Sequence, residues 1–278
     1  MPELPEVETV ARGVNERVRG DRIAEVWFSS HTQPFKTPPA GQAEGLEGRI
    51  ILAVRRVGKH IVCDLGGRDV AGEEQPEAQW IVHLGMTGRL LVTTPDGDVA
   101  PHTHARLRLT SGREIRFVDP RRFGRLEYRE LAVAKEFFGP GVEPTTVDPD
   151  VFAGLFKGRK LAIKAALLNQ TILHGVGNIY ADESLFRAGI RPKRMAGRLK
   201  KAELLKLRVA LQDVLQHAIQ LGGSSVSDYV DANGVKGFFQ LEHRVYMRTG
   251  QPCLVCGTPI QRIVLAGRGT HFCSVCQQ

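Results

Sequence analysis

Residues 253–276 read CLVCGTPIQRIVLAGRGTHFCSVC, two Cys-x-x-Cys knuckles (Cys253/Cys256 and Cys273/Cys276) separated by sixteen residues. Four thiolates close a tetrahedron around Zn²⁺, so this spacing reads as one structural zinc site. Two disulfides would use the same residues. No secretory signal pattern is present, however, and paired knuckles in a reducing compartment favour metal. Between the knuckles, a strand-like run, a Gly-rich turn and a second run predict a zinc-pinned hairpin with Arg268 at its tip. The fifth cysteine, Cys63 in HIVCDLGG (60–67), reads as a buried strand residue.

N-terminal to the finger the pattern is helical. DVFAGLFKGRKLAIKAALLNQ (150–170) carries Leu161, Ala165 and Leu168 at helical spacing, and NIYADESLFRAG (178–189) carries Ile179, Leu185 and Phe186. They flank TILHGVGN (171–178), where glycines permit close backbone approach and Asn178 is placed to cap the second helix, a turn able to offer N–H groups to a phosphate. Lys160 and Lys164 add positive charge to that reading. A tight interhelix turn is the plainer alternative. The run 202–223 is a third, amphipathic helix, and 222–239 (GGSSVSDYVDANGVKGFF) is a loop long enough to move over a site.

The first half reads as antiparallel β structure: RIAEVWF (22–28), RIILAVRRVGKHIVCDL (49–65), WIVHLGMTGRLLV (80–92), HARLRLTSGREIRFV (104–118) and GRLEYREL (124–131). Two turns stand out. HLGMTGRL (83–90) presents Met86 between glycines, and DPRRFG (119–124) places Arg121, Arg122 and Phe123 together, an apolar residue with cations that could wedge into a duplex. The opening MPELPEVETV (1–10) is a helix start, with Pro and Glu where the first turn favours them. Removal of Met1 would leave Pro2 as a free secondary amine beside carboxylates.

Charge separates the halves. Residues 1–150 hold 20 Lys+Arg against 23 Asp+Glu, or −3, while residues 151–278 hold 18 against 7, or +11. A basic half joined to a mildly acidic one points to a polyanionic partner, most simply nucleic acid. No apolar run approaches the roughly 18 residues of a membrane span, and a cytoplasmic location without membrane contact is expected.

The ordered set PELPEVET, GKH, HLGMTGRL, DPRRFG, HGVGNIYADE and GRGTHFCSVCQ resembles the formamidopyrimidine-DNA glycosylase family of bifunctional base-excision repair enzymes, along nearly the whole chain. The resemblance implies an α+β fold of two domains: an antiparallel β-sandwich with flanking helices over 1–135, a linker at 136–150, a helix-two-turn-helix domain with a lesion-covering loop over 151–240, and a zinc finger over 241–278. The implied partner is damaged duplex DNA, bound by a monomer.

Matched residue by residue, the resemblance makes Pro2 the nucleophile, Glu3 the proton donor to the sugar, Lys59 the residue of β-elimination and phosphate contact, and Arg268 that of δ-elimination, with Glu6 a supporting carboxylate. It assigns Met86, Arg121 and Phe123 to the gap left by an everted base, His102, Lys160 and Asn178 to the DNA backbone, and Ser224 and Ser225 to the start of the loop over oxidised purines. His104 lies close enough to be confused with His102. Endonuclease VIII-like relatives share the proline mechanism but prefer oxidised pyrimidines, whereas Leu4-Pro5 and the Met/Arg/Phe set favour purines. A non-catalytic zinc-finger DNA-binding protein is the other alternative, disfavoured by intact Pro2, Glu3 and Lys59. The segment 66–80 departs from the family in length and acidity, with one positive and four negative charges, and reads as a solvated loop.

Overall fold

Leu4, Val7, Ala11, Val14 and Val18 recur at helical spacing and are all buried, which fixes the inward face of helix α1 (Leu4–Val18). In this computed structural model, which describes residues 1–67, 75–226 and 229–278, α1 packs on a unit comprising Met1–Phe138 and Gly222–Gly237. The unit also holds the short helix α2 (Pro39–Leu46) and eight strands, β1 (Ile23–Phe28), β2 (Ile50–Val57), β3 (His60–Gly66), β4 (Ala78–His83), β5 (Arg89–Thr93), β6 (Thr103–Leu109), β7 (Glu114–Val118) and β8 (Arg125–Glu130). The strands form two four-stranded antiparallel sheets, ordered β1-β6-β7-β5 and β2-β3-β4-β8.

One core joins the sheets. Ile23, Leu90, Leu107 and Phe117 come from the first, Ile51, Ile61, Trp80 and Leu126 from the second, with Val7 and Val14 of α1. β3 and β4 are buried along almost their whole length because their other face is covered too, where Val57, Val62 and Ile81 meet Phe137. Cys63 is buried in β3 as expected.

The loop segment Gly222–Gly237, expected within the helical domain, belongs by its contacts to this first unit. Tyr229 and Ala232 are buried in the core of the unit, and the Val92 N–H donates to the Ala232 carbonyl at 3.2 Å. Two buried side chains and a backbone bond outweigh proximity in sequence. Of the acidic segment 66–80, residues 68–74 lie outside those described. Glu77 is described, and its carboxylate accepts from Arg49 at 2.5 Å.

The second unit, Gly139–Leu221 with Phe238–Gln278, holds α3 (Pro149–Gly154), α4 (Ile163–Leu168), α5 (Asn178–Ala188), α6 (Lys201–Gln220) and the hairpin β9 (Gln261–Leu265) and β10 (Arg268–Phe272). The helical pattern of 150–170 divides in two. Gly158 adopts φ +69°, a left-handed turn that interrupts the helix. The segment after it pairs with the chain near 196 instead, through Gly197 N–H to Arg159 O at 3.0 Å and Ala196 N–H to Leu161 O at 2.9 Å. The finger has a small core of its own, in which Val245, Ile260 and Phe186 surround Cys253 and Cys273. No helix among the described residues is long and apolar enough to cross a membrane.

Candidate active site and nucleic-acid interface

The N-terminal end of α1 is built on two buried glutamates. Glu3 is the N-cap and Glu6 the third helical residue of a reciprocal capping box, in which the Glu3 N–H donates to Glu6 Oε2 at 2.8 Å. The other carboxylate oxygen of Glu6 accepts the Ser224 N–H at 2.7 Å, so one side chain holds both the residue that opens α1 and the start of the returning loop. Pro2 is buried while Met1 is half exposed. With Met1 attached, the Pro2 nitrogen is an amide and no nucleophile. Freed, it would be a secondary amine at the positive end of a helix, beside Glu3.

Lys59 occupies the turn between β2 and β3 and is buried. Arg56 pins that turn to α1, donating through Nε to Glu8 at 2.8 Å and through Nη1 to the Gly58 carbonyl at 3.3 Å. Pro2, Glu3 and Lys59 thus lie on two elements of one unit joined by a shared guanidinium.

Three turns of the same unit carry the expected DNA-facing residues. Met86 and Phe123 are large apolar side chains left 41 % and 48 % exposed, and the Arg121 guanidinium lies 4.7 Å from the Phe123 ring centroid. Of the two neighbouring histidines, His102 is exposed at a turn with φ +65°, whereas His104 is buried with its ring 3.1 Å from both the Ser29 hydroxyl and the Asp119 carbonyl. Of the two, His102 is therefore the one open to solvent.

In the second unit, Arg268 and Lys160 are exposed. Lys164, read from sequence as a phosphate-facing cation, is instead wholly buried. Its ammonium pairs with Asp182 at 2.6 Å and donates to the Thr270 hydroxyl at 2.8 Å and the Gly269 carbonyl at 3.1 Å. Asn178 does not cap α5, whose N-cap is Gly177; its side-chain amide donates to the same Gly269 carbonyl at 3.0 Å. The second Asp182 oxygen accepts the His271 N–H at 2.8 Å. The hairpin arginine is thus anchored one residue away by α4 and α5. A cation buried this way is indistinguishable in sequence from one that is solvated, because its partner lies in another helix.

The four finger cysteines converge, with all ligand sulfurs within 4.8 Å of one another, Cys253 to Cys276 at 3.9 Å and Cys256 to Cys273 at 3.4 Å. A tetrahedron with Zn–S bonds of about 2.3 Å has edges of about 3.8 Å, so the set fits one zinc ion, filled by cysteine and hence structural. Hydrogen bonds from the Thr258 hydroxyl and backbone N–H pull the Cys256 thiol down to about 6, whereas burial pushes the Cys273 and Cys276 thiols up. Replacing Cys256 with Ser is expected to release the metal and abolish duplex binding while the N-terminal unit stays folded. Structural zinc supplies about 10–16 kcal/mol in small fingers, more than this minor core can replace. Metal analysis and gel shift check this; full zinc content with full affinity would rule the site out.

Residues 1–126 match the formamidopyrimidine-DNA glycosylase N-terminal domain, residues 138–230 the H2TH domain of the same enzymes, and residues 250–278 a zinc finger found in FPG and IleRS. The chain belongs to the formamidopyrimidine-DNA glycosylase family. Formamidopyrimidine-DNA glycosylases of Solibacter usitatus and Gluconobacter oxydans are 46 % and 42 % identical to it, each aligned over the whole of both chains. Among solved structures, the MutM (FPG) protein of Thermus thermophilus matches with TM-score 0.84 at 40 % identity, covering 99 % of this chain and 98 % of that one. A variant of the Lactococcus lactis protein in complex with Fapy-dG-containing DNA matches with TM-score 0.88 at 34 % identity over all of both chains. The α+β fold and the four-cysteine finger of the formamidopyrimidine-DNA glycosylase family are both present.

Proposed function

We propose that this chain is a bifunctional DNA glycosylase and AP lyase that removes oxidised purines from duplex DNA through an imine on Pro2 and then cuts the strand. The carrying observation is the N-terminal arrangement: a buried proline one residue past Met1, at the positive end of a helix, followed by a buried glutamate in a capping box. The Lactococcus lactis relative is bound to Fapy-dG DNA, and another relative to DNA containing carbocyclic 8-oxo-G, which supports oxidised purines as the substrate class.

Each residue has a definite task in this reading. Freed of Met1, the Pro2 nitrogen donates its lone pair to C1′ of the damaged nucleotide, and the C1′–N bond to the base breaks with its electrons leaving on the base. Glu3 supplies the proton to the sugar and relays one to the departing base. Loss of the Pro2 N–H proton restores the nitrogen lone pair, which forms the C1′=N⁺ bond as the C1′–O4′ bond breaks with its electrons going to O4′; O4′ takes the proton from Glu3, leaving an iminium on the opened sugar. Its positive charge acidifies the C2′ proton, whose removal expels the 3′ phosphate with Lys59 alongside. A second elimination, in which Arg268 takes part, expels the 5′ phosphate. An α-amino group of ordinary pKa about 7.7–8 is about a tenth neutral at pH 7. Met86, Arg121 and Phe123 fill the gap in the stack, and His102, Lys160 and Asn178 grip the backbone. The zinc holds the finger's fold and takes no chemical part. A monomer working in the cytoplasm or nucleoid fits this role.

Borohydride added during turnover should reduce the imine to an irreversible protein–DNA adduct on lesion duplex and scarcely on undamaged duplex, with the crosslink mapping to the N-terminal peptide. An adduct on Lys59 would overturn the proline mechanism.

A further inference from the structure

The three turns assigned above to the duplex meet at one buried residue, Asp119, whose carboxylate holds two of them and whose backbone N–H holds the third. Asp119 is wholly inaccessible. Its Oδ1 accepts the Thr87 hydroxyl at 2.5 Å and the Arg121 N–H at 3.3 Å, and its Oδ2 accepts the Gly124 N–H at 2.8 Å. Its backbone N–H donates to the His102 carbonyl at 3.0 Å, and its carbonyl accepts the Arg122 N–H at 3.2 Å. Met86 adjoins Thr87, and Phe123 adjoins Gly124, so both exposed apolar tips stand one residue from a bond to the same side chain.

The Met86 and Phe123 turns also touch through their backbones. Gly85 has φ +63°, and a Cβ there would lie 2.5 Å from both the Phe123 carbonyl carbon and the Gly124 nitrogen, so only glycine permits this approach. On its other side the Gly85 N–H donates to His83 Nδ1 at 3.1 Å. Burial beside His60 pulls the His83 ring down to about 4, so it is neutral and able to accept at pH 7.

Rigidity beneath an exposed apolar side chain brings no benefit to the free protein. It matters if the tips must enter a narrow gap together, because ordering them beforehand removes that entropy cost from the binding step. We propose that Asp119 and Thr87 are positioning residues that fix the spacing of Met86 and Phe123 before DNA arrives, so that the wedge enters the duplex as one preformed unit. This rests on the assignment of Met86, Arg121 and Phe123 to the displaced base.

Thr87→Val keeps the shape of the side chain and removes the hydroxyl, leaving Asp119 Oδ1 with the longer Arg121 bond. Thr87→Ser keeps the donor. Single-turnover excision from a lesion duplex should slow about tenfold in Thr87→Val, the scale of one hydrogen bond to a charged group. Cleavage at a preformed abasic site should change by less than about twofold, since unstacking is least demanding there. Thr87→Ser should recover most of the loss. The double variant Met86→Ala/Thr87→Val should be no slower than Met86→Ala, because Thr87 acts through Met86. Wild-type excision by Thr87→Val, equal slowing on both substrates, or additive losses in the double variant would each overturn the proposal. Full-rate excision by Met86→Ala would instead remove the wedge assignment and this inference with it, so the two failures are distinguishable.

Discussion

Replacing Pro2 with Gly is expected to lower strand cleavage at a lesion by roughly a thousandfold or more, the scale associated with losing a nucleophile. Glycine is small enough for Met1 to be removed, so the variant retains a terminal amine. What it loses is the pyrrolidine ring, which fixes φ and places the nitrogen lone pair at the start of α1, and the secondary amine that passes readily to an iminium. Chain that retains Met1 should fail more completely, because the Pro2 nitrogen is then an amide. Both forms should bind lesion duplex nearly as well as chain with a free Pro2 amine, since the exposed side chains proposed to meet DNA are unchanged. Intact mass assigns the terminus, and single-turnover cleavage with borohydride trapping gives the rate. Unimpaired cleavage by chain shown to retain Met1 would exclude the terminal amine as nucleophile.

How much of this was legible in sequence depended on whether a residue's role was set locally. The cysteine knuckles carry their own spacing, and the four sulfurs converge within 4.8 Å as the motif implied. Helix α1 was readable because Leu4, Val7, Ala11, Val14 and Val18 repeat at its period. The break between α3 and α4 was hidden because apolar spacing continues across Gly158, and only pairing with the distant 196–197 segment shows why the chain turns there. Glu6 was legible as a carboxylate near the amine, but its bond to Ser224 spans 218 positions and has no local signature. Asp119 and Thr87 sat inside the motifs DPRRFG and HLGMTGRL without standing out. Attention falls on the side chains that point outward, while the one that positions them is buried.

Lys164→Met is the second large expected effect, and it tests a feature that sequence reading assigned to the wrong environment. Methionine fills similar space but supplies no charge and no donors, so it leaves the Asp182 carboxylate buried with the His271 N–H and ring and no cation. Stranding one member of a buried ion pair costs about 3–5 kcal/mol, a large share of the stability of an ordinary domain. The loss should concentrate where Lys164 bonded, at Gly269 and Thr270 beside Arg268. Hydrogen exchange at the His271 amide should accelerate accordingly, while the core around Phe117 and Trp80 keeps its protection. Asn178 still holds the Gly269 carbonyl at 3.0 Å, so the hairpin should loosen without detaching and its zinc should stay bound. Arg268 would then be present but poorly aimed. At a preformed abasic site, the products should shift from full β,δ-elimination toward β-elimination alone, with the first cut less affected than the second. Asp182→Asn, which retains an acceptor for His271 but strands the buried Lys164 ammonium without its counter-ion, should produce the same two effects. Unchanged His271 exchange together with an unchanged product ratio in Lys164→Met would show that the buried pair neither stabilises the hairpin nor aims its arginine.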